Sequence, residues 1–347
     1  MNELEPQVQL LDCTLRDSSY AIDFQFSARD TRNICRGLEK AGIRMIEVGH
    51  GLGLGASSSR YGFALETDEA YLQAAASALT TASFGAFFIP GIGSKDDLKR
   101  AREFGMGFVR VGSELANLGK ALEYIAYAKE LGLYVALNLM KTYAASPEEL
   151  SVLAKPLRGV GIDAIYVVDS AGCMLPDQVA TYVRALGESS ELQVGFHGHN
   201  NLGLANANCL AALNAGATLI DGTLRGMGRS AGNAQTEVLV HLLEQAGYLM
   251  NVDTFDLFET ASRYLEPLML YPQGLPAMDV VIGMSKFHSS HLARFKRVLD
   301  KYDVDLRRLI MAVSQVDCVN PSDELIESIA KDLSRADEFS TGYRRAS

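Results

Sequence analysis

The stretch Phe196-His197-Gly198-His199-Asn200-Asn201-Leu202-Gly203 ends an apolar run that begins at Gln193, and the reading of such run-ends decides the fold. Short β-branched and apolar runs alternate along the chain with longer helical patterns, the order expected of a parallel sheet with crossover helices. Eight runs stand out, at residues 8–12, 44–49, 83–89, 108–112, 134–139, 164–169, 193–197 and 218–222. Each reads as continuous rather than alternating, as strands buried on both faces do. An open doubly wound sheet and a closed (β/α)8 barrel both fit this alternation. An open sheet concentrates its chemistry in one crevice, whereas a barrel distributes it over the carboxyl ends of many strands. Here polar groups follow the first run (Thr14-Leu15-Arg16-Asp17), the second (Gly49-His50-Gly51), the sixth (Asp169-Ser170), the seventh (His197-Gly198-His199) and the eighth (Arg225 to Asn233). That distribution predicts an α/β fold, a (β/α)8 TIM barrel.

Amphipathic stretches at 28–41, 95–103, 115–131, 147–159, 175–186 and 204–215 lie between the runs, with Gly42, Gly105, Gly132 and Gly216 where helices stop. Beyond about Ala261 helical patterns continue without strands. Pro267, Pro272 and Pro276 mark a loop-rich junction before helices expected at 285–302 and 322–334. A TIM-barrel catalytic domain over 1–262 and an appended C-terminal helical region over 263–347 follow, in keeping with the usual barrel length of about 250 residues.

Hydrophobic residues at 48% and charged residues at 21% allow a sizeable core without staples. A net charge of -10 with no basic run argues against a nucleic-acid partner. No apolar segment reaches the ~18 residues of a membrane span, and the start Met1-Asn2-Glu3-Leu4-Glu5-Pro6 is acidic where a signal peptide is basic, so a cytoplasmic protein is expected. Five scattered cysteines without a CxxC pair read as reduced thiols and not as a zinc site.

His197 and His199 stand two apart on a strand, where a period of 2 points both to one side. Two imidazoles and a carboxylate, for which Asp17 is the candidate, make a facial arrangement for a divalent ion and a chelating substrate. In isolation such a pair is as readily two polar residues at a strand end; Asp17 and the glycine loop tip the balance. Arg16 beside Asp17 either forms a structural ion pair or faces an anion, such as the enolate charge that grows when a bond next to a keto group breaks. His50 either lines the cavity or is a satisfied barrel histidine. The segment Gly226-Met227-Gly228-Arg229-Ser230-Ala231-Gly232-Asn233 lets backbone approach a ligand closely. It lacks the Lys-Ser or Lys-Thr of a phosphate loop, Gly51 to Gly55 lack the context of a dinucleotide fingerprint, and no Gly-x-Ser-x-Gly elbow supports hydrolase chemistry.

Taken together, Leu11-Asp12-Cys13-Thr14-Leu15-Arg16-Asp17, Phe196 to Gly203 and Gly228 to Asn233 resemble the signatures of the DRE-TIM metallolyases. Ile46-Glu47-Val48-Gly49-His50-Gly51, Ser57 to Phe63, Val168-Asp169-Ser170-Ala171-Gly172 and Ala231-Gly232-Asn233-Ala234 are similar, within that group, to the 4-hydroxy-2-oxovalerate aldolase family. The resemblance implies a lyase that cleaves or forms the bond between a pyruvate (or close 2-oxo acid) enolate and an aldehyde, as in 4-hydroxy-2-oxovalerate giving pyruvate and acetaldehyde. It implies Mn2+, with Mg2+ or Co2+ as alternatives, held by Asp17, His197 and His199. Arg16 would stabilise the enolate, with Ser170 and Asn233 near the substrate.

In that family a His four residues after the Arg and a Tyr in the C-terminal region serve the proton transfers. Here Tyr20 and His288, the latter in His288-Ser289-Ser290-His291-Leu292, stand at those places, so the two residue types are exchanged. Imidazole, with an unperturbed pKa near 6.5, suits the base role, which makes His288 the expected base. The rival readings are that Tyr20 only packs and His288 is a surface residue, or that His291 is the true partner. Leu52 stands where these aldolases usually carry an acid and Lys141 where they carry His, so their aldehyde specificity does not transfer. The C-terminal part resembles the region that joins an acylating aldehyde dehydrogenase, although its amphipathic helices serve equally to cap the barrel and complete a homo-oligomer.

Three rivals remain. A Claisen-type synthase of the isopropylmalate or homocitrate kind shares Arg-Asp and His-x-His, but the Glu-Arg pattern of its glycine loop is missing. A hydroxymethylglutaryl-CoA lyase carries a loop Cys that 226–233 lack. A non-catalytic barrel subunit is opposed by the intact Asp17, His197 and His199.

Overall fold

Runs rich in Val, Ile, Leu and Phe become parallel strands here because both of their faces can be buried at once. The computed structural model describes residues 8–248 and 250–344; the acidic start, 1–6, on which the expectation about a signal peptide rested, lies outside the described residues. The strands are β1 (Gln9–Asp12), β2 (Met45–Glu47), β3 (Ser83–Phe88), β4 (Phe108–Ser113), β5 (Tyr134–Leu139), β6 (Ala164–Asp169), β7 (Gln193–Gly198) and β8 (Leu219–Gly222). They pair in sequence order and close where β1 meets β8, with Leu11 opposite Asp221. The fold is the expected TIM barrel, and each run matches its strand to within two residues at either end.

A helix follows every strand: α1 (Ala28–Ala41), α2 (Asp68–Ala78), α3 (Lys95–Glu103), α4 (Leu118–Glu130), α5 (Pro147–Ala154), α6 (Pro176–Ser190), α7 (Ala205–Asn214) and α8 (Thr236–Gln245). Ser27, Ser94 and Ser146 start α1, α3 and α5 with reciprocal capping boxes, each accepting from the N–H of the acid three residues on while that acid reaches back. Gly42, at φ +105°, ends α1 in a conformation that a side chain would strain.

Alternate strand residues divide between two compartments. Ile46, Phe88, Val109, Leu137, Ile165 and Phe196 are fully buried against the helices, each such burial contributing roughly 1.5–3 kcal/mol. Met45, Phe108, Ala136, Tyr166 and Leu219 fill the barrel itself. Two strand glycines make room for these rings: a Cβ on Gly85 would lie 2.3 Å from the Phe108 ring and one on Gly195 2.5 Å from that of Tyr166.

Past α8 come α9 (Thr254–Thr260), an irregular stretch around Pro272 and Pro276, then α10 (Ala277–Met284), α11 (Leu292–Leu299), α12 (Leu306–Ser314) and α13 (Asp323–Arg344). The helix expected over 285–302 is shorter. The chain breaks at Lys286, which takes φ +53°, and a 3-10 turn at Ser289–His291, with His288 Nδ1 3.3 Å from Ser290 N and 2.7 Å from Ser290 Oγ, precedes α11. Ile282, Phe287, Phe295, Leu309, Ile326 and neighbours form a second, smaller core. This region sits over the carboxyl ends of the strands: Asn201 Nδ2 donates to Asp279 O at 2.8 Å and Lys141 Nζ to Val319 O at 3.1 Å. Among the described residues no helix is long and apolar enough to cross a membrane.

Candidate active site

After β1 the chain turns at once into a single helical turn, Thr14–Asp17. The Asp12 carboxylate fixes that turn by accepting from Thr14 N at 2.9 Å and Thr236 Oγ1 at 3.0 Å. The turn delivers Arg16 and Asp17, both buried, into the mouth of the barrel. His197 ends β7 and His199 follows two residues later, with ring centroids 5.2 Å apart and planes nearly perpendicular. One ligand atom from each of Asp17, His197 and His199 lies within 4.8 Å of the others.

The outward nitrogens of both imidazoles are engaged. His197 Nδ1 faces Asp221 Oδ2 at 2.8 Å and His199 Nδ1 faces Gly232 O at 3.2 Å, which leaves the two Nε2 atoms inward, that of His197 3.8 Å from Asp17 Oδ2 and that of His199 3.1 Å from Arg229 Nη2. Asn233 Nδ2 donates to Asp17 Oδ2 at 2.7 Å, while its Oδ1 is buried without a partner, an orphan acceptor that a cation would satisfy. The residues present therefore fit a divalent ion. Cys13, His197 and Asp221 also cluster. Arg110 already holds Asp221 and, at 3.1 Å, the Cys13 sulfur, and burial pushes that thiol well above its ordinary pKa, so the sulfur is a poor ligand.

Beneath the triad lies a layer of alternating charge that the sequence reading did not single out. Arg110 of β4 donates to Glu47 Oε1 at 2.8 Å and Oε2 at 2.6 Å and also to Asp221. Arg16 Nε donates to Glu47 Oε2 at 2.6 Å and Nη1 to Asp17 Oδ1 at 2.5 Å. A continuous chain thus runs from His197 through Asp221, Arg110, Glu47 and Arg16 to Asp17. Burial pushes the Glu47 carboxyl up, but Arg110 and Arg16 reverse this and hold it at about 2. Burial also opposes ionisation of Asp17, and the Arg16 guanidinium foremost outweighs it, keeping that carboxyl well below the usual range. Burial and Arg229 lower His199 to about 3, so its ring is neutral and its lone pair available.

Above the triad opens a cavity of about 480 Å³ whose wall includes Arg16, Tyr20, Ser170, His199, Arg229 and His288. Tyr20 arrives on the turn Ser18–Ile22 and His288 on the segment before α11, so the two exchanged residues share one space. Both touch Arg229: its Nη1 lies 3.0 Å from His288 Nε2, and its guanidinium carbon 5.8 Å from the Tyr20 ring centroid. Burial pushes the Tyr20 hydroxyl up to about 12, and burial together with Arg229 lowers His288 well below the usual imidazole range. His291 turns away, its Nε2 3.1 Å from Val319 O. Arg229 was the group to notice in the glycine loop, being the one charged residue among 226–233.

The remaining expected residues fall at varying distances from this cavity. Ser170 lines it, its Oγ accepting from Lys141 N at 3.0 Å. Asn233 touches Asp17 from the far side and borders a smaller neighbouring cavity. His50 does not reach the cavity. Its Nδ1 accepts from Leu52 N at 3.1 Å, its Nε2 meets Gly62 O at 3.2 Å, and its ring stacks on Phe24 at 3.9 Å, so it braces the loop that brings Leu52 to the wall.

Comparison with known proteins adds sequence and fold relatives. The HMGL-like family matches residues 7–263. Over 332 residues the chain is 39% identical to a 4-hydroxy-2-oxovalerate aldolase of Carboxydothermus hydrogenoformans, spanning 96% of this chain and 99% of the relative. It is 40% identical over 329 residues to 4-hydroxy-2-oxovalerate aldolase 4 of Rhodococcus opacus, spanning 95% of each. The HMG-CoA lyase structure of Bacillus subtilis superposes with a TM-score of 0.66 at 21% identity, over 79% of this chain and 97% of that one, a likeness of fold.

Proposed function

This chain belongs to the HMGL-like family and, within it, to the 4-hydroxy-2-oxovalerate aldolases, and from that footing we propose that it is a carbon–carbon lyase. It splits 4-hydroxy-2-oxovalerate or a close analogue into pyruvate and an aldehyde and catalyses the reverse addition. The observation that carries this reading is the convergence of Asp17, His197 and His199 at the floor of a cavity that Arg16, Tyr20 and His288 also line.

Asp17, His197 and His199 would hold a divalent ion, Mn2+ with Mg2+ or Co2+ as substitutes, which would supply Lewis-acid polarisation of the keto group of the 2-oxo acid. A ring nitrogen that faces a guanidinium presents its lone pair, so the His288 proton sits on Nδ1, toward Ser290 Oγ at 2.7 Å. His288 Nε2 then takes the proton of the C4 hydroxyl, the C3–C4 electron pair passes into the enolate of pyruvate, and the aldehyde departs. Arg16, locked by Glu47 and Asp17, stabilises the enolate charge as it grows. Tyr20, protonated at neutral pH, gives its proton to the enolate carbon, and the proton that His288 took passes across the shared cavity to the Tyr20 oxygen, so both groups end as they began. Ser170 steadies the substrate at the wall, Asn233 acts through Asp17, and His50 acts through the loop that carries Leu52.

The two separate apolar cores support dividing the chain into a barrel and a helical region, as the division at 262/263 has it, with Leu265, Leu268 and Met269 still packed on the barrel side. Family membership supports an acylating aldehyde dehydrogenase, or a second copy of the chain, as partner to that helical region, whose exposed Leu270, Tyr271, Leu275 and Met284 offer apolar surface.

The test is pyruvate release from 4-hydroxy-2-oxovalerate by Mn2+-loaded protein, with acetyl-CoA plus 2-oxo acids as the contrasting assay. Turnover is expected in the first alone. His288→Ala and Tyr20→Phe should each lose roughly 10²–10⁴-fold with metal content unchanged. Wild-type rates in both variants would remove the proton-transfer assignment, and no release of pyruvate by the loaded wild type would remove the lyase reading.

A further inference from the structure

The chemistry above gives no substrate contact to one cation that lines the same cavity, Arg229. Arg16 and Arg110 are buried, and each is matched by carboxylates. Arg229, partly buried in the same cavity, is not: among the described residues its hydrogen-bond partners are His199 Nε2 at 3.1 Å, His288 Nε2 at 3.0 Å, Ser289 Oγ at 2.7 Å and Ser170 O at 3.3 Å. All four are neutral acceptors, and a guanidinium drawn partly out of water with no anion hydrogen-bonded to it is in an unfavourable state. Its planar fork is the group best shaped to take a carboxylate or phosphate through two parallel hydrogen bonds.

Two of these contacts cannot persist during turnover. The His199 lone pair is required beside Asp17 for the ion, and the His288 lone pair is required for the hydroxyl proton. Arg229 must leave both nitrogens, and the substrate is what remains to receive it. The 2-oxo acid half belongs at the Asp17, His197 and His199 corner next to Arg16. Arg229 is tied instead to His288 and Ser289, on the side where the C4 hydroxyl, and so the future aldehyde, meets its base.

We propose that Arg229 determines specificity by binding an anionic group, carboxylate or phosphate, on the aldehyde half of the substrate, so that this enzyme prefers an aldehyde bearing negative charge. The inference rests on the lyase reading. When the anion draws Arg229 away, the His288 lone pair is released, so substrate charge and base activation are linked.

The experiment measures aldol addition to pyruvate by the Mn2+-loaded enzyme with propanal, succinic semialdehyde and glyceraldehyde 3-phosphate. In the wild type one of the two anionic aldehydes should exceed propanal in kcat/KM by at least about tenfold, and which one wins identifies the anion. Arg229→Ala should abolish that ratio through the aldehyde KM, and Arg229→Lys should keep part of it. Calorimetric Mn2+ affinity should hold or tighten in Arg229→Ala, since no guanidinium then competes for His199. In the wild type, inorganic phosphate should compete with the aldehyde and not with pyruvate, a result independent of how the variants fold. A preference for propanal, an unmoved ratio in Arg229→Ala, weaker Mn2+ binding, or effects confined to the pyruvate KM would each overturn the proposal and leave the lyase standing. Failure to add any of the three aldehydes would remove the lyase reading and this inference with it.

Discussion

Replacing Arg110 by Ala perturbs the charge layer at its centre. Arg110 is fully buried and donates to Glu47, Asp221 and the Cys13 sulfur, so its loss leaves two carboxylates in the barrel with diminished compensation. Breaking a buried pair in this way costs about 3–5 kcal/mol. The Glu47 carboxyl gives a second route to the magnitude. Its pKa falls from 4.5 to about 2 on folding, which corresponds to about 3 kcal/mol of stability above pH 4.5. Because the folded value is the lower one, that contribution is present above 4.5 and is lost as pH falls toward 2. The expected result is therefore a loss of about 3–5 kcal/mol at pH 7, shrinking by about 2 kcal/mol at pH 3. Urea unfolding followed by far-UV circular dichroism, on metal-free protein at both pH values, measures it. A loss below about 1 kcal/mol at pH 7, or an equal loss at the two pH values, would refute the claim that this layer is held by Arg110.

Three further outcomes are expected. In Asp17→Asn the thermal stabilisation that Mn2+ gives the wild type should vanish; at a hundredfold excess over Kd the wild-type gain is about 2.7 kcal/mol, and an equal gain in the variant would place the ion elsewhere. Gly53, at φ +93°, would set a Cβ 2.0 Å from Phe87 O, so Gly53→Ala should lose more than about 1 kcal/mol in the same unfolding assay, and an unchanged midpoint would contradict the packing of the Leu52 loop. Because burial pushes the Tyr20 hydroxyl up to about 12, kcat should show no alkaline limb near the ordinary tyrosine value of about 10; a limb centred there would contradict Tyr20 as a protonated donor.

The barrel was legible because its strands are apolar on both faces, and the triad because an HxH at a strand end aims two imidazoles to one side. Glu47, Arg110 and Asp221 were present in the same runs but unreadable as a group. Each is a lone charge in its own strand, and only the closed barrel brings β2, β4 and β8 to one layer. A charged residue in the middle of an apolar run was the available signal, since such a group must find a partner. The break at Lys286 left no trace of the usual kind, for neither Gly nor Pro marks it. His50 shows the opposite failure: a polar residue at a strand end in sequence, it spends both ring nitrogens on its own loop.

The exchange of Tyr20 and His288 acquires chemical meaning only from their shared cavity. An imidazole at position 20 would lie beside Arg16 and Asp17, whereas at 288 it lies beside Arg229 and Ser290. The first neighbourhood already holds a metal carboxylate and its arginine. The second holds a guanidinium that, with burial, disfavours the imidazolium at rest, so the ring starts neutral with its lone pair inward and takes a proton only once Arg229 has turned to the substrate. A phenol at 288 would offer that guanidinium an oxygen acceptor, and near neutral pH it would be a far weaker base. On the roles proposed above, the C-terminal region supplies the base, while the barrel supplies the ion site and the enolate's arginine. An enzyme so divided has a complete proton path only while segment 285–291 is seated over the strand ends. Truncation before 285 should leave Mn2+ binding to Asp17, His197 and His199 in place and abolish turnover, a separation that His288→Ala should reproduce without removing the segment.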